Sequence, residues 1–214
     1  MGMPWNADSV EKELNEAFEI NSELKLLEVL KRNSFLFYEL YSRKYGIQPL
    51  FHELSFGAKL RCDFAWLNDN SDSPEWVLVE VEKPRMRLFN TSGKPSAELN
   101  AALEQVREWD RYFYEYPAEK KRIFGAVGRF RYVLVAGSSD DWKIETAMKW
   151  RSHHNTISNI EIRSSDVFVR PLTILREHPD ELWSFQENPI SLGYSKLENY
   201  WKDYGYMDRM RKMF

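Results

Sequence analysis

The spacing of apolar and polar positions divides the chain into helical and extended stretches. Across residues 9–20 and 22–43 the apolar pattern predicts two helices, with Asp8 or Ser9 and then Asn21 or Ser22 as N-caps. "QPLFHELSFGAKLRCDFAWLN" (48–68) predicts two short strands turning at Gly57, and "NDNSDSPE" (68–75) is a loop signal. Trp76-Val77-Leu78-Val79 has no polar alternation and reads as a strand buried on both faces. Beyond the loop "NTSGKPS", residues Leu99, Ala102, Leu103, Val106, Trp109 and Phe113 recur at three- and four-residue steps, which predicts a long amphipathic helix. "RYVLVAG" (131–137) is a further buried strand, 142–154 a helix and "ISNIEIRS" a last strand; from 166 onward the chain is aromatic-rich and irregular or helical. The order helix, three strands, long helix, strand, helix, strand predicts an α/β fold around a mixed sheet. The expected organisation is one domain over 1–214, with N-terminal helices in 1–45, a core in 46–165 and a C-terminal extension in 166–214.

Composition adds limits. Eight Trp, eleven Tyr and thirteen Phe supply a sizeable core. A net charge of −3 excludes a uniformly cationic surface but not a local one, and Lys83, Arg85, Arg87, Lys94 and "KKRIFGAVGRFRY" are unevenly placed cations. The single cysteine, Cys62, excludes an internal disulfide and a Cys-based zinc site, and reads as a small buried side chain. The expected location is the cytoplasm: no stretch approaches the ~20 apolar residues of a membrane span, and the start lacks a signal-peptide core. His153-His154 reads as a pair on a helix surface, since adjacent residues do not share a helical face.

Candidate chemistry lies in "WVLVEVEKPR" (76–85), an apolar run ending in Glu80 and Glu82. With a side-chain period of two, both carboxylates point to one face, ~6.6–6.8 Å apart along the strand. A symmetric hairpin between strands 59–67 and 76–82 places residues whose numbers sum to 143 opposite one another, and Asp63 then faces Glu80. Like charges directly opposed destabilise a sheet, unless a hard divalent cation joins them. The alternative is that each acid pairs with a nearby cation such as Lys59, Arg61 or Lys83.

The series "CDFAWL", a loop, "VLVEVEKP", a glycine-containing loop and a helix carrying "EQVREWDRY" resembles the restriction-endonuclease-like PD-(D/E)XK nucleases. Within that superfamily it resembles most the C-terminal nuclease domain of the Shedu anti-phage immunity proteins, over roughly residues 20–165. The resemblance implies a restriction-endonuclease-like core and a Mg²⁺- or Mn²⁺-dependent hydrolysis of phosphodiester bonds in DNA or RNA, carried out by a homo-oligomer. It makes Asp63 and Glu80 the metal-binding acids, with the backbone carbonyl of Val81 as a further ligand. Gln105 becomes the helix glutamine beside the site, and Glu23, or Glu28 or Glu39 in its place, an acid at its edge. The family pattern puts a lysine two residues after the second acid; here that residue is Glu82. Lys83 must then swing back toward the site, or Lys59 supplies the cation, or Glu82 itself acts as base or binds a second metal. The rival expectation is a catalytically silent nuclease-like fold that binds nucleic acid or a protein.

Overall fold

The structure is a computed structural model and describes residues 3–44, 46–69, 73–125, 127–203, 205 and 209. A six-stranded mixed sheet, in the order β5-β4-β3-β2-β1-β6, forms its centre. The strands are β1 (Phe51–Phe56), β2 (Leu60–Asp69), β3 (Pro74–Val81), β4 (Arg129–Val135), β5 (Ile160–Arg163) and the short β6 (Leu192–Gly193). β1, β2 and β3 run antiparallel, whereas β3, β4 and β5 are parallel and β6 is parallel to β1. β3 is therefore the strand at which the sheet changes from meander to crossover topology.

Helices cover both faces. α1 (Ala7–Glu19), α2 (Glu23–Arg32) and α7 (Arg170–Glu177) share one hydrophobic cluster with Phe64, Trp66, Val77, Val79 and Val81. α3 (Ala97–Glu115), α4 (Pro117–Phe124), α5 (Ser139–Lys143), α6 (Glu145–Ile157) and α8 (Leu197–Asp203) pack with Trp76, Leu78, Tyr132 and Leu134. Successive β3 residues thus enter opposite layers, and all eight are buried.

The β2–β3 register runs from Asp69↔Pro74 to Phe64↔Val79, so the numbers sum to 143 as expected. The strands extend further into 68–75 than its polar composition predicts, and residues 70–72 of that loop lie outside the described residues. The α3 stripe is the expected one: Leu99, Ala102, Leu103, Val106, Trp109 and Phe113 are its buried residues, and the Ser96 hydroxyl caps the helix by accepting from Leu99 N–H at 3.0 Å.

Four expectations need correction. The helix expected over 22–43 ends at Arg32, because Asn33 leaves helical geometry (φ −136°, ψ 75°) and turns its amide onto the Val29 carbonyl. The next four residues, Ser34–Phe37, form a 3₁₀ turn buried on every side, so no helical stripe exists there. The first helix is capped by Asn6, which accepts from Ser9 N–H at 2.9 Å. Helix α4 was not expected; Pro117 opens it, where a missing N–H costs nothing. His154 is not on the surface: it is buried and stacks on Trp150, one turn earlier, at 5.0 Å, while His153 is exposed.

Candidate active site

At the carboxyl end of β3 a cleft of about 710 Å³ opens between α2, the β1–β2 hairpin and α3. Its lining includes Glu23, Lys31, Lys59, Arg61, Asp63, Glu80, Glu82 and Gln105. The α2 contribution follows from helical spacing, since Glu23, Leu27 and Lys31 fall at i, i+4 and i+8 and form one stripe. Gln105 flanks the buried stripe of α3, three residues after Ala102 and four before Trp109, which turns it toward the end of β3.

Asp63 lies where the sheet ladder is broken. On the β1 side the pairing passes from His52↔Phe64 to Leu54↔Cys62, skipping Glu53, which has φ of +54°. A glutamate in the left-handed region is strained, and such strain collects at functional sites. On the β3 side the ladder ends at Phe64↔Val79, and the Val81 N–H donates instead to Asp63 Oδ2 at 2.8 Å. The turn joining β1 to β2 requires Gly57, whose φ is +63° and whose missing Cβ would touch the Tyr112 ring at 2.9 Å.

Glu80 is 8% exposed, as is Asp63. The Gln105 amide donates to Glu80 Oε1, but Glu80 Oε2 is buried with no hydrogen-bond partner. Among the described residues neither of these acids nor Glu82 forms an ion pair. Lys31 is bound to Glu53 at 2.9 Å, and Arg61 stands 4.0 Å from the same glutamate. The electrostatics follow. Burial raises the Asp63 carboxyl to about 6, against the Val81 N–H, which holds it down, with Glu23 pushing it further up. Burial lifts Glu82 to about 7, helped by Glu23 and Asp63 and opposed by Lys83. Glu80 is driven well above the carboxylate range by burial and then by Asp63, Glu82 and Glu23. Cys62 is buried behind the two acids, its thiol raised by the same burial and by the charges of Glu80 and Asp63.

Of the residues named from sequence, Asp63, Glu80, Glu82, Gln105, Glu23, Glu28 and Lys59 line one cleft. Val81 contributes its N–H to Asp63 and its side chain to the core. Lys83 is exposed outside the cleft lining, and so is Glu39. Lys31 and Glu53 were missed; their only signal is topological, since nothing local marks an α2 lysine as a neighbour of β1.

The donor set suits a hard divalent cation. Buried, unpaired carboxylates with an orphaned oxygen call for positive charge. Among the described residues no three His, Cys, Asp or Glu side chains converge as a ready metal cage. Two carboxylates with the remaining positions left to water and phosphate is the set that Mg²⁺ favours over an all-protein cage.

A family model described as Shedu protein SduA, C-terminal, matches residues 20–169. The chain belongs to this family. Membership implies a role in anti-phage defence, and the matched span contains every cleft residue named above. No curated protein matches the chain. No helix among the described residues of this Shedu-family chain is long and apolar enough to cross a membrane.

Proposed function

We propose that this Shedu-family chain is a metal-dependent nuclease of restriction-endonuclease-like type, hydrolysing phosphodiester bonds in DNA. The observation that carries the reading is the buried pair Asp63–Glu80, without an ion-pair partner among the described residues and with Glu80 Oε2 unsatisfied there. Asp63 and Glu80 are the residues to hold Mg²⁺ or Mn²⁺, together with the Val81 carbonyl. When bound, such an ion polarises a phosphoryl oxygen and lowers the pKa of water. Gln105 orients Glu80 by donating to Oε1, leaving Oε2 free to bind. Glu82, held at about 7, is suited to take a proton from an attacking water near neutral pH. Lys59 and Arg61 at the cleft wall supply positive charge toward the phosphate, the part that the family's lysine plays.

The test is cleavage of supercoiled plasmid, linear DNA and single-stranded RNA with Mg²⁺, Mn²⁺ or EDTA. Metal-dependent cleavage by the parent and none by Asp63→Asn is the expected result. Glu82 in place of the usual lysine favours a second reading, a metal-binding but silent nuclease fold. Saturable Mn²⁺ uptake without cleavage of any of these substrates would establish it.

A further inference from the structure

A second cleft, of about 330 Å³, opens on the same carboxyl edge of the parallel strands, beyond β4 and β5. Lys143 and Arg151 from α5 and α6, Arg163 at the end of β5 and Arg170 at the start of α7 line it, with Ser139 and Ser164. Among the described residues no acidic one lines it, although the whole chain carries a net charge of −3. Lys143 is paired with Asp140 at 2.8 Å, Arg163 with Glu161, and the nearby Asp166 accepts from Ser139 N–H at 2.5 Å. Arg151 and Arg170 have no ion-pair partner among the described residues. Arg151 is half-buried and held over the Trp142 ring at 5.0 Å. Burial and the neighbouring Arg163 both weigh against its charge, and neither Arg151 nor Arg170 has a carboxylate paired with it among the described residues.

The two clefts share one strand edge. Glu82 N–H donates to the Val135 carbonyl, Ala136 N–H to that of Arg163, and Ser165 N–H to that of Gly137. The segment Lys83–Leu88 leaves the end of β3 beside the first cleft and reaches the end of β4, where a Cβ on Gly137 (φ +66°) would meet Leu88 at 2.8 Å. Along it Pro84, Met86 and Leu88 are buried and Lys83, Arg85 and Arg87 are exposed. An alternation of this kind turns three cations outward along the segment that runs from β3 to the end of β4, none in an ion pair among the described residues. β3 and β5 are two strand spacings apart, ~10 Å, or about three nucleotides at ~3.4 Å of rise per step.

We propose that this second cleft seats a backbone phosphate of the nucleic-acid strand whose scissile bond lies at Asp63 and Glu80, with Lys83, Arg85 and Arg87 tracking the phosphates between. The assignment rests on the nuclease reading for its direction and on the cation geometry for its existence. An arginine presents several N–H donors in a planar fork, and the lining residues Ser139 and Ser164 each carry one hydroxyl donor. Phosphate contacts of this kind fix register without reading sequence.

The experiment is equilibrium binding of a fluorescent 20-nucleotide single strand and the matching duplex to the full chain in EDTA, across a salt series. For Arg151→Gln/Arg170→Gln we expect at least a fivefold loss of affinity and a salt slope smaller by about 1 per arginine removed. Mn²⁺ uptake should stay at the parent level. Because Arg151 also packs on Trp142, Arg170→Gln alone, at an exposed residue, is measured beside it and should show half the change in slope. An unchanged affinity and slope in a folded double variant overturns the proposal. So does a thermal shift by inorganic phosphate that the double variant loses while oligonucleotide binding persists, which makes the cleft a small-anion site. Cleavage by a double variant with parental affinity would sink the phosphate seat and keep the nuclease. Parent binding that depends on the two arginines, without any Mn²⁺ uptake, would do the reverse.

Discussion

Asp63, Glu80 and Glu82 are carboxyls that the fold holds where ionisation is costly. In the folded chain Asp63 gives up its proton near 6 and Glu82 near 7, against ordinary values of 3.8 and 4.5. Between pH 4 and 7 the folded state therefore binds more protons than the unfolded chain, and metal-free stability falls as pH rises through that window. For Asp63 the displacement corresponds to on the order of 3 kcal/mol at neutral pH. Melting in EDTA should accordingly be lower at pH 8 than at pH 5, and Asp63→Asn should make the profile less steep, leaving the part due to the buried Glu82, and melt no lower than the parent at pH 8. A flat parental profile would contradict the electrostatics of the site. The cation is a separate matter. Lys59 lines the cleft and Lys83 does not, so Lys59→Ala should lower kcat by about tenfold, short of the roughly 10²–10³ lost with a preorganised donor, because Lys59 is exposed. Lys83→Ala should change binding and its salt dependence, with little effect on kcat. Equal losses of kcat in the two variants would place the charge elsewhere.

At the scale of elements, the acid pair was legible because β-structure has a period of two and the hairpin is symmetric, which is enough to bring Asp63 to Glu80. The α3 stripe was equally plain, and with it the position of Gln105. What stayed hidden depends on contacts between distant elements or on single backbone angles. Nothing in "FHELSF" announces the left-handed Glu53, and nothing in "LLEVLKR" announces that Lys31 meets it. The end of α2 was hidden too, since "SFLF" is apolar enough to continue a helix, and what ends it is the single non-helical residue Asn33, whose amide caps the Val29 carbonyl. Two changes test the elements that aim the site. Gln105→Ala strips the Glu80 carboxyl of the hydrogen bond it accepts at Oε1 and should weaken Mn²⁺ binding by roughly 10–100-fold, as loss of a ligand-orienting partner does; titration calorimetry reads it, and parental affinity would remove Gln105 from the site. Gly57→Ala should cost about 1–3 kcal/mol, from the positive φ and from contact with Tyr112. Tyr112→Ala in the same chain should recover only the steric part, and full recovery would show that the backbone is unstrained.

The whole molecule places a meander beside a set of parallel crossovers and puts its acids where the two meet, at the carboxyl end of β3. Ligand sites of α/β sheets gather at such ends, outside the strand termini. The layers are held by large buried aromatics, Trp66 and Phe37 on one face and Trp76, Trp109 and Trp142 on the other, so the core is built without stabilisation from the acids. That independence lets a destabilising cluster persist, and it separates the two accounts of Glu80 by the sign of one effect. The deciding measurement is thermal melting at pH 8 of the parent and Glu80→Gln, each in EDTA and in Mn²⁺. If the cluster is a metal seat, Mn²⁺ at a hundredfold excess over its Kd stabilises the parent by ~2.7 kcal/mol, a rise of roughly 5–10 °C for a chain of this size. Glu80→Gln should then show no such rise and melt in EDTA at or above the parent. A parent indifferent to Mn²⁺, with a variant weakened by on the order of 3–5 kcal/mol, would make Glu80 a structural partner and contradict the metal site.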